Sequence, residues 1–251
     1  MIKFGADAIT AINTKEGIVL ADAGISSGLT ARYRKIIEHE FQRKDFVFLI
    51  NTHGHPDHTG GNSSFPESGI VGHVNCLKEM REQWNNRQKS LKNLSKIVED
   101  YELQLKTSEP EIREWNEIYT QKIRYQYAYM DAKSLIPGKL PDITFSDTMK
   151  IDMKDNTFEM IYFGNCHSRS DILIYVPEMA ILFMGDLFSK YGRPAIDNKL
   201  IADNERWQQA IQWIEKRIAN IKIIIGGHGE ILSLDDLKLF NTKILAKSSP
   251  E

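Results

Sequence analysis

The chain is organised around one short stretch, Thr52-His53-Gly54-His55-Pro56-Asp57-His58. Three imidazoles and a carboxylate crowd into the six positions from His53 to His58. Desolvating that many polar side chains together is costly unless something binds them. Strong ligands on a loop marked by glycine and proline are typical of a metal site. We therefore expect this stretch to bind metal.

The residues on either side of this stretch indicate where it lies in the fold. The run Phe46-Val47-Phe48-Leu49-Ile50 comes directly before it and predicts a buried strand. Thr59-Gly60-Gly61-Asn62 comes directly after it and permits tight turns of the backbone. A hairpin is predicted over 8–20, a helix over 29–41 and a further strand at 70–73. This order is the start of an α/β pattern.

Length and composition limit the classes of protein to which the chain can belong. It has 251 residues, of which 41% are hydrophobic and 26% charged, as expected for one large domain over 1–251. The net charge of -2 and the pI near 6.4 do not suggest a partner that is a nucleic acid or a membrane surface. No apolar run reaches the length of a membrane span.

The two cysteines and the N-terminus bear on the compartment. Cys76 and Cys166 are too few for a disulfide framework, so we expect two buried free thiols. The first residues lack the basic-then-apolar layout of a signal peptide. A cytoplasmic location is favoured, provided that no residues before Met1 were removed.

Residues 75–135 form a long, charged and helical segment that differs from the rest of the chain. Apolar residues at helical spacing predict one helix from Leu77 to Leu105 and a second that begins at Pro110. We expect an inserted helical hairpin, amphipathic on both arms. This hairpin would serve either as a lid that covers the site and selects the substrate, or as the contact surface between the two copies of a homodimer.

Apolar strands predicted later in the chain also end close to potential ligands. His167 follows the strand at 158–163, Asp186 follows the strand at 180–184, and His228 follows the strand at 221–225. Ligands at strand ends along one edge of a core are where layered folds place their sites. With the central stretch they supply five imidazoles and two carboxylates, too many for one four-coordinate ion and enough for two.

These motifs resemble those of the metallo-β-lactamase superfamily. The resemblance rests on Thr-His-x-His-x-Asp-His-x-Gly-Gly-Asn at 52–62, the Gly-x-x-His-Ser setting of His167, Gly185-Asp186, and Gly227-His228-Gly229. It covers nearly the whole chain in the correct order, apart from the helical segment. It implies an α+β protein with an αββα sandwich, the metals lying at one edge of two facing sheets. The family usually opens with a strand before the first hairpin, and we expect that strand to be shortened or missing.

The resemblance also implies a role for each ligand. His53, His55 and His167 would hold one metal. Asp57, His58 and His228 would hold the other, with Asp186 bridging both. The expected metals are two Zn²⁺ ions per chain, with Fe or Mn as the alternative. The Asp at the bridging position and the Gly-Gly-Asn resemble glyoxalase II and related hydrolases more than antibiotic-degrading lactamases, which place Cys there. The C-terminus departs from the glyoxalase II pattern, because it lacks an evident basic tail of the kind that binds glutathione in those enzymes.

A dinuclear site of this kind predicts hydrolysis of a small ester, thioester, lactone or amide by attack of a hydroxide that bridges the two metals. Asp57 is expected to orient the hydroxide and to accept a proton. Thr52, Asp22 and Ser168 are candidates for fixing the imidazole tautomers. His73, at the end of a strand next to the site, is a candidate for contact with the substrate.

Three alternatives stay open at the level of sequence. One is a mononuclear iron oxidoreductase resembling the sulfur dioxygenases of the same superfamily, which use two His and one Asp. Another is a phosphodiesterase or nuclease of the same fold, which the near-neutral charge disfavours. The last is a binding module without activity, which the intact ligand set makes least favoured.

Overall fold

Two six-stranded β-sheets pack face to face in the computed structural model, which describes residues 1–109, 113–134, 138–187, 204–233 and 235–239. The first sheet has the order β1-β2-β3-β4-β5-β6, and the second has the order β12-β11-β10-β9-β8-β7. The first sheet comprises β1 (Ile2–Phe4), β2 (Asp7–Thr14), β3 (Gly17–Ala21), β4 (Phe46–Ile50), β5 (Gly69–His73) and β6 (Ile143–Phe145). The second comprises β7 (Thr148–Asp152), β8 (Thr157–Tyr162), β9 (Ile172–Val176), β10 (Ile181–Gly185), β11 (Ile223–Gly226) and β12 (Ile231–Leu232).

Helices cover the outer faces of both sheets. α1 (Ser27–Phe41) buries Leu29, Tyr33 and Ile37 against the first sheet. α6 (Asn204–Glu215) packs Trp207, Ile211 and Ile214 on the second sheet. The space between the sheets is filled by apolar side chains from both, among them Val19, Ile50, Val71, Phe158, Ile174 and Phe183. The αββα sandwich expected from the sequence is therefore confirmed.

Because several neighbouring strands are parallel, the loops that follow them begin at the same edge of the sandwich. β3, β4, β5 and β6 run parallel to one another in the first sheet, and β10 and β11 run parallel in the second. Parallel strands deliver their carboxyl ends to the same side of a sheet. The stretch at 52–58 follows β4, Asp186 follows β10, and His228 follows β11, so this edge is where the candidate ligands meet.

The opening strand of the first sheet is short but present. β1 has three residues and pairs antiparallel with β2, with Ile2 opposite Ile9 and Phe4 opposite Asp7. It is thus a shortened strand, not a missing one. The predicted hairpin is formed by β2 and β3, with Thr14 opposite Gly17 across its turn.

The described part of the helical segment contains three helices, so the prediction of one continuous helix from Leu77 to Leu105 is wrong. The described helices are α3 (Val74–Asn85), α4 (Arg87–Thr107) and α5 (Arg113–Lys133). The break falls at Asn86, whose side-chain amide donates to the Glu82 carbonyl at 3.0 Å. An Asn side chain that bonds to nearby backbone competes with helix continuation. Pro110, the predicted start of the second arm, lies outside the described residues.

A buried ion pair fastens α5 to the sandwich. Arg124 Nη2 and Nε lie 2.7 and 2.8 Å from Asp7 Oδ1, and both residues are buried. The Tyr33 hydroxyl of α1 lies 3.4 Å from the other oxygen of Asp7. Farther along α5, the carboxylate of Asp131 accepts the Ser27 N–H at 2.6 Å, at the start of α1. Within the described helices, none is long and apolar enough to cross a membrane.

We expect Arg124→Met to lower the free energy of unfolding by about 3–5 kcal/mol, because it leaves the Asp7 carboxylate buried without its cation. Urea denaturation measures the change. Arg113→Met on the same helix is the matched control, since Arg113 makes an exposed pair with Glu117 and surface pairs contribute little.

Adding Asp7→Asn to Arg124→Met should recover part of the stability, because no unpaired charge then stays buried. An Arg124→Met variant as stable as Arg113→Met would show that the ion pair does not secure α5.

Candidate metal centre

A short helix shapes the stretch that follows β4. α2 (Pro56–Thr59) begins with Pro56 in its first turn, a position where the missing N–H costs nothing. The His55 carbonyl accepts the backbone N–H groups of His58 and Thr59, each at 3.1 Å. These bonds curl the chain back immediately after His55. His53, His55, Asp57 and His58 thereby come to one side within six residues.

The second glycine of the Gly-Gly-Asn motif is required for a close backbone contact. A Cβ on Gly61 would lie 2.1 Å from the Ala23 carbonyl oxygen, so only glycine fits there. The Ala23 N–H in turn donates to the His58 carbonyl at 2.8 Å. Asn62 exchanges amide hydrogen bonds with Asn51 at 2.9 and 3.0 Å. The motif therefore packs the stretch against the loop that follows β3.

The structure brings all seven predicted metal ligands into one cluster. Its residues form three overlapping groups, and within each group the donor atoms lie within 4.8 Å of one another. These groups are His53–His55–His167, His53–His58–Asp186 and Asp57–His58–His228. Asp186 is central, because its Oδ1 lies 3.3 Å from His58 Nε2 and its Oδ2 lies 3.2 Å from His228 Nε2. Its Oδ2 is also 3.6 Å from His167 Nε2.

Several polar atoms of this cluster lack a hydrogen bond in the part of the chain that the structure describes. They are His53 Nε2, His58 Nε2, His167 Nδ1 and Asp186 Oδ1, all buried. His167 Nε2 and His55 Nδ1 face each other at 3.0 Å. Native proteins rarely bury such atoms without a partner. The donor set of imidazole nitrogens and carboxylate oxygens suits a divalent transition metal such as Zn²⁺, so these residues fit a metal ion.

Burial and mutual charge set the protonation of the cluster. Burial holds the pKa of His53 well below its usual range and lowers that of His167 to about 4. Burial opposes ionisation of Asp186 and Asp57, but the neighbouring imidazoles, His58 foremost among them, together outweigh it and hold the pKa of both carboxyls below the usual range. Neutral imidazoles and ionised carboxylates are the forms that bind metal.

Two imidazoles are shifted in the opposite direction. Burial disfavours the charged form of His58, yet the carboxylates of Asp186 and Asp22 raise its pKa well above the usual range. Burial likewise acts against His228, and its hydrogen bond to Asp186 raises its pKa to about 8. Protons on these rings balance the negative charge of the carboxylates, and a cation bound in the cluster would take over that role.

Asp22 holds His58, one of the residues expected to bind the second metal ion. Its Oδ1 accepts the Thr52 N–H at 2.8 Å, and its Oδ2 accepts the Thr52 hydroxyl at 2.7 Å. His58 Nδ1 donates to the same Oδ2 at 2.9 Å. His228 is oriented differently, since its Nδ1 donates to the Ala6 carbonyl at 2.7 Å. Each contact occupies one ring nitrogen and turns the other towards Asp186, which is how supporting groups fix a ligand tautomer.

Ser168 does not make the imidazole contact expected of it. Its hydroxyl donates to Asp171 Oδ1 at 2.9 Å, and its backbone N–H lies 2.6 Å from Asp171 Oδ2. These bonds close the loop after His167 on itself. Cys166, next to His167, is buried and not part of a disulfide, and the same holds for Cys76, in agreement with the expectation from the sequence.

The structure gives His73 a structural role and corrects the expectation of a substrate contact. Its Nε2 donates to the Ser146 carbonyl at 2.9 Å, and its Nδ1 accepts the Asn75 N–H at the start of α3. Its ring stacks on Tyr162 with centroids 3.7 Å apart. Only 2% of the residue is exposed. With both nitrogens engaged and the ring covered, no face is left for a substrate.

The cluster is also supported from α3, by residues that the sequence did not point to. Glu79 and Gln83 contact the backbone near the metal ligands, as does Ser170. One signal was available. Glu79 lies between the apolar residues Leu77 and Met80 of the predicted helix, and a carboxylate next to an apolar helix face is a candidate for burial.

Comparison with known proteins agrees with this geometry. The family model described as the metallo-beta-lactamase superfamily matches residues 4–228. A curated relative, a metallo-beta-lactamase type 2 from Bacillus cereus, is 23% identical over 220 residues, which is 88% of this chain and 66% of that protein. The chain thus spans just under two thirds of the length of that relative.

Solved structures share the fold at low sequence identity. A metallo-beta-lactamase from Pontibacter korlensis has a TM-score of 0.64 at 18% identity, covering 94% of this chain and 85% of its own. The metallo-beta-lactamase FIM-1 from Pseudomonas aeruginosa, solved in a mono-zinc form, has a TM-score of 0.60 at 16% identity. The match covers 96% of this chain and 84% of that one. With the family model matching nearly the whole chain, this protein belongs to the metallo-β-lactamase superfamily.

Proposed function

We propose that the protein is a dinuclear zinc-dependent hydrolase of a small ester, thioester, lactone or amide. The observation that carries this proposal is the cluster of five imidazoles and two carboxylates, some of whose buried nitrogens have no partner among the described residues. The relatives named above are metallo-beta-lactamases, and membership of their superfamily supports a metal-dependent hydrolase.

The residues divide between two proposed metal sites. His53, His55 and His167 would hold the first ion, and Asp57, His58 and His228 would hold the second. Asp186 would contact both ions. Its position supports this assignment, because one oxygen faces His58 and the other faces both His167 and His228. Asp in this position, where antibiotic-degrading lactamases place Cys, favours a glyoxalase II-like chemistry.

Asp57 is the proposed proton acceptor. Bound divalent ions would lower the pKa of water and polarise the carbonyl oxygen of the substrate. The Asp57 side chain is 33% exposed, compared with 14% for Asp186, so of these two carboxylates it is the more accessible to an incoming substrate. Because its pKa lies below the usual range, it is ionised at neutral pH and able to accept a proton.

We propose that α4 and α5 border the substrate site and select the substrate. Arg124 and Asp131 fasten α5 to the sandwich through Asp7 and Ser27. Burial raises the pKa of Tyr125 on α5. The positive charge of Arg124 lowers this pKa, whereas the negative charges of Asp57 and Asp7 raise it. Tyr125 thus lies within electrostatic range of Asp57, and its ring stacks on Tyr101 of α4 with centroids 5.8 Å apart.

A homodimer through the same helices is the alternative use of this segment. Leu103, Tyr119 and Met130 are exposed on α4 and α5, which supports a contact with a second copy. Light scattering of the purified protein separates the two proposals. A monomer at micromolar concentration would leave substrate selection as the proposed role.

We expect the purified protein to bind two Zn²⁺ ions per chain, measured by elemental analysis after chelator treatment and reloading. A panel of thioesters, lactones, β-lactams and phosphodiesters should then give turnover with an ester or thioester. One iron per chain together with consumption of oxygen would instead identify the mononuclear oxidoreductase.

Asp57→Ala should lower turnover by about a hundred- to ten-thousand-fold while circular dichroism shows an unchanged fold, because a positioned base is lost. Asp100→Ala is the matched control, since Asp100 is exposed on α4. Full activity of the Asp57→Ala variant would rule out the proposed role of this carboxylate.

Asp22→Asn should weaken binding of the second zinc by about 10–100-fold, because the partner that orients His58 is lost. Competition with a chromophoric chelator measures both affinities. Asp155→Asn serves as the control, since Asp155 also accepts a backbone N–H, that of Lys15, but lies outside the cluster. Unchanged affinity for the second ion would contradict this role of Asp22.

A further inference from the structure

A buried carboxylate on α3 lies between the two loops that carry the ligands of the first proposed metal site. Glu79 is 8% exposed and shares the buried face of α3 with Cys76 and Met80. A buried carboxylate requires hydrogen-bond donors around it. The donors around Glu79 belong to the loop after His167.

The contacts of Glu79 with that loop follow directly after the ligand. Its Oε1 accepts the Arg169 N–H at 2.9 Å. Its Oε2 accepts the hydroxyl of Ser170. These two residues are the second and third after His167, so the carboxylate anchors the chain close to that imidazole.

The same residues continue to the stretch after β4. Ser170 Oγ accepts the Gly54 N–H at 2.9 Å, and Gln83 Nε2 donates to the Gly54 carbonyl at 2.8 Å. Gly54 lies between His53 and His55. A Cβ there would come within 2.5 Å of Glu79 Oε2 and 2.8 Å of Glu79 Cβ, so the approach of α3 requires glycine.

These contacts link two ligand-bearing loops that are far apart in the chain. The His55 and His167 nitrogens that face each other at 3.0 Å are 112 residues apart. Both of their loops are hydrogen-bonded to α3, one through Gly54 and the other through Arg169 and Ser170. A small change in the position of such a supporting group is sufficient to weaken a metal site.

We propose that Glu79 is a positioning residue that holds the His53–His55 loop and the His167 loop at the separation the first metal ion needs. This inference rests on the proposed function, since it assumes that His53, His55 and His167 bind that ion. It predicts that affinity for the first ion depends on a carboxylate that does not touch the ion.

Glu79→Gln is the test, because the amide offers one acceptor in place of two and brings an NH₂ group to face either the Arg169 N–H or the Ser170 hydroxyl. Glu82→Gln is the matched control. Glu82 lies on the same helix and pairs with the Arg169 guanidinium at 2.5 Å, but its side chain is 57% exposed.

Both variants are made in the full chain and in a His228→Ala background, which removes a ligand of the second proposed site and keeps those of the first. Titration with Co²⁺, followed by its absorption spectrum and by chelator competition, then reports the first site. We expect Glu79→Gln to lower Co²⁺ affinity there by about 10–100-fold and to alter the spectrum. Glu82→Gln should leave both unchanged.

Each outcome decides the inference. A Glu79→Gln chain that melts earlier but keeps its Co²⁺ affinity within twofold would reduce Glu79 to a structural residue. Should Glu79→Gln fail to fold, Gln83→Ala decides, with a several-fold loss of affinity in support and unchanged affinity against. Absence of Co²⁺ binding by the otherwise unaltered chain would refute the proposed function itself.

Discussion

Desolvation of a crowded set of imidazoles and carboxylates is the constraint on which the rest of this structure depends. Buried imidazole nitrogens and carboxylate oxygens are costly unless each has a partner. The protein ties one nitrogen of His58 to Asp22 and one nitrogen of His228 to the Ala6 carbonyl. The opposite nitrogen of each ring then faces Asp186, where a cation can balance the carboxylates.

Strand direction explains how residues so distant in the chain reach this centre. Parallel pairing within the first sheet places the end of β4 beside the ends of its neighbours, and parallel pairing of β10 and β11 does the same in the second sheet. Neither sheet carries the complete cluster. The apolar packing between the sheets therefore has a functional consequence, because it sets the distance between the ligands of one sheet and those of the other.

The helices after β5 are connected to both halves of the cluster. Through Glu79 and Gln83, α3 contacts the backbone of the two loops that carry His53, His55 and His167, the ligands of the first proposed site. α5 is connected to His228, a ligand of the second proposed site, through the N-terminal residues Ala6 and Asp7. Its Arg124 is paired with Asp7, and the carbonyl of the preceding residue, Ala6, receives the hydrogen bond from His228. The segment that differs most from the common family pattern is thus joined to the candidate metal centre at two places.

The sequence by itself indicated the seven candidate ligands and the apolar strands that lead to them. Both are local patterns: ligands one or two residues apart in the stretch at 52–58, and apolar runs that lead to a polar residue on a glycine-marked loop. Only the tertiary structure decided the role of His73, the partner of Asp7 and the position of Glu79. Arg124 is 117 residues from Asp7 and Ser170 is 91 residues from Glu79, so neither pair leaves a trace in local spacing. Such contacts depend on how helices dock on the finished sandwich, and docking is set by packing across the whole fold.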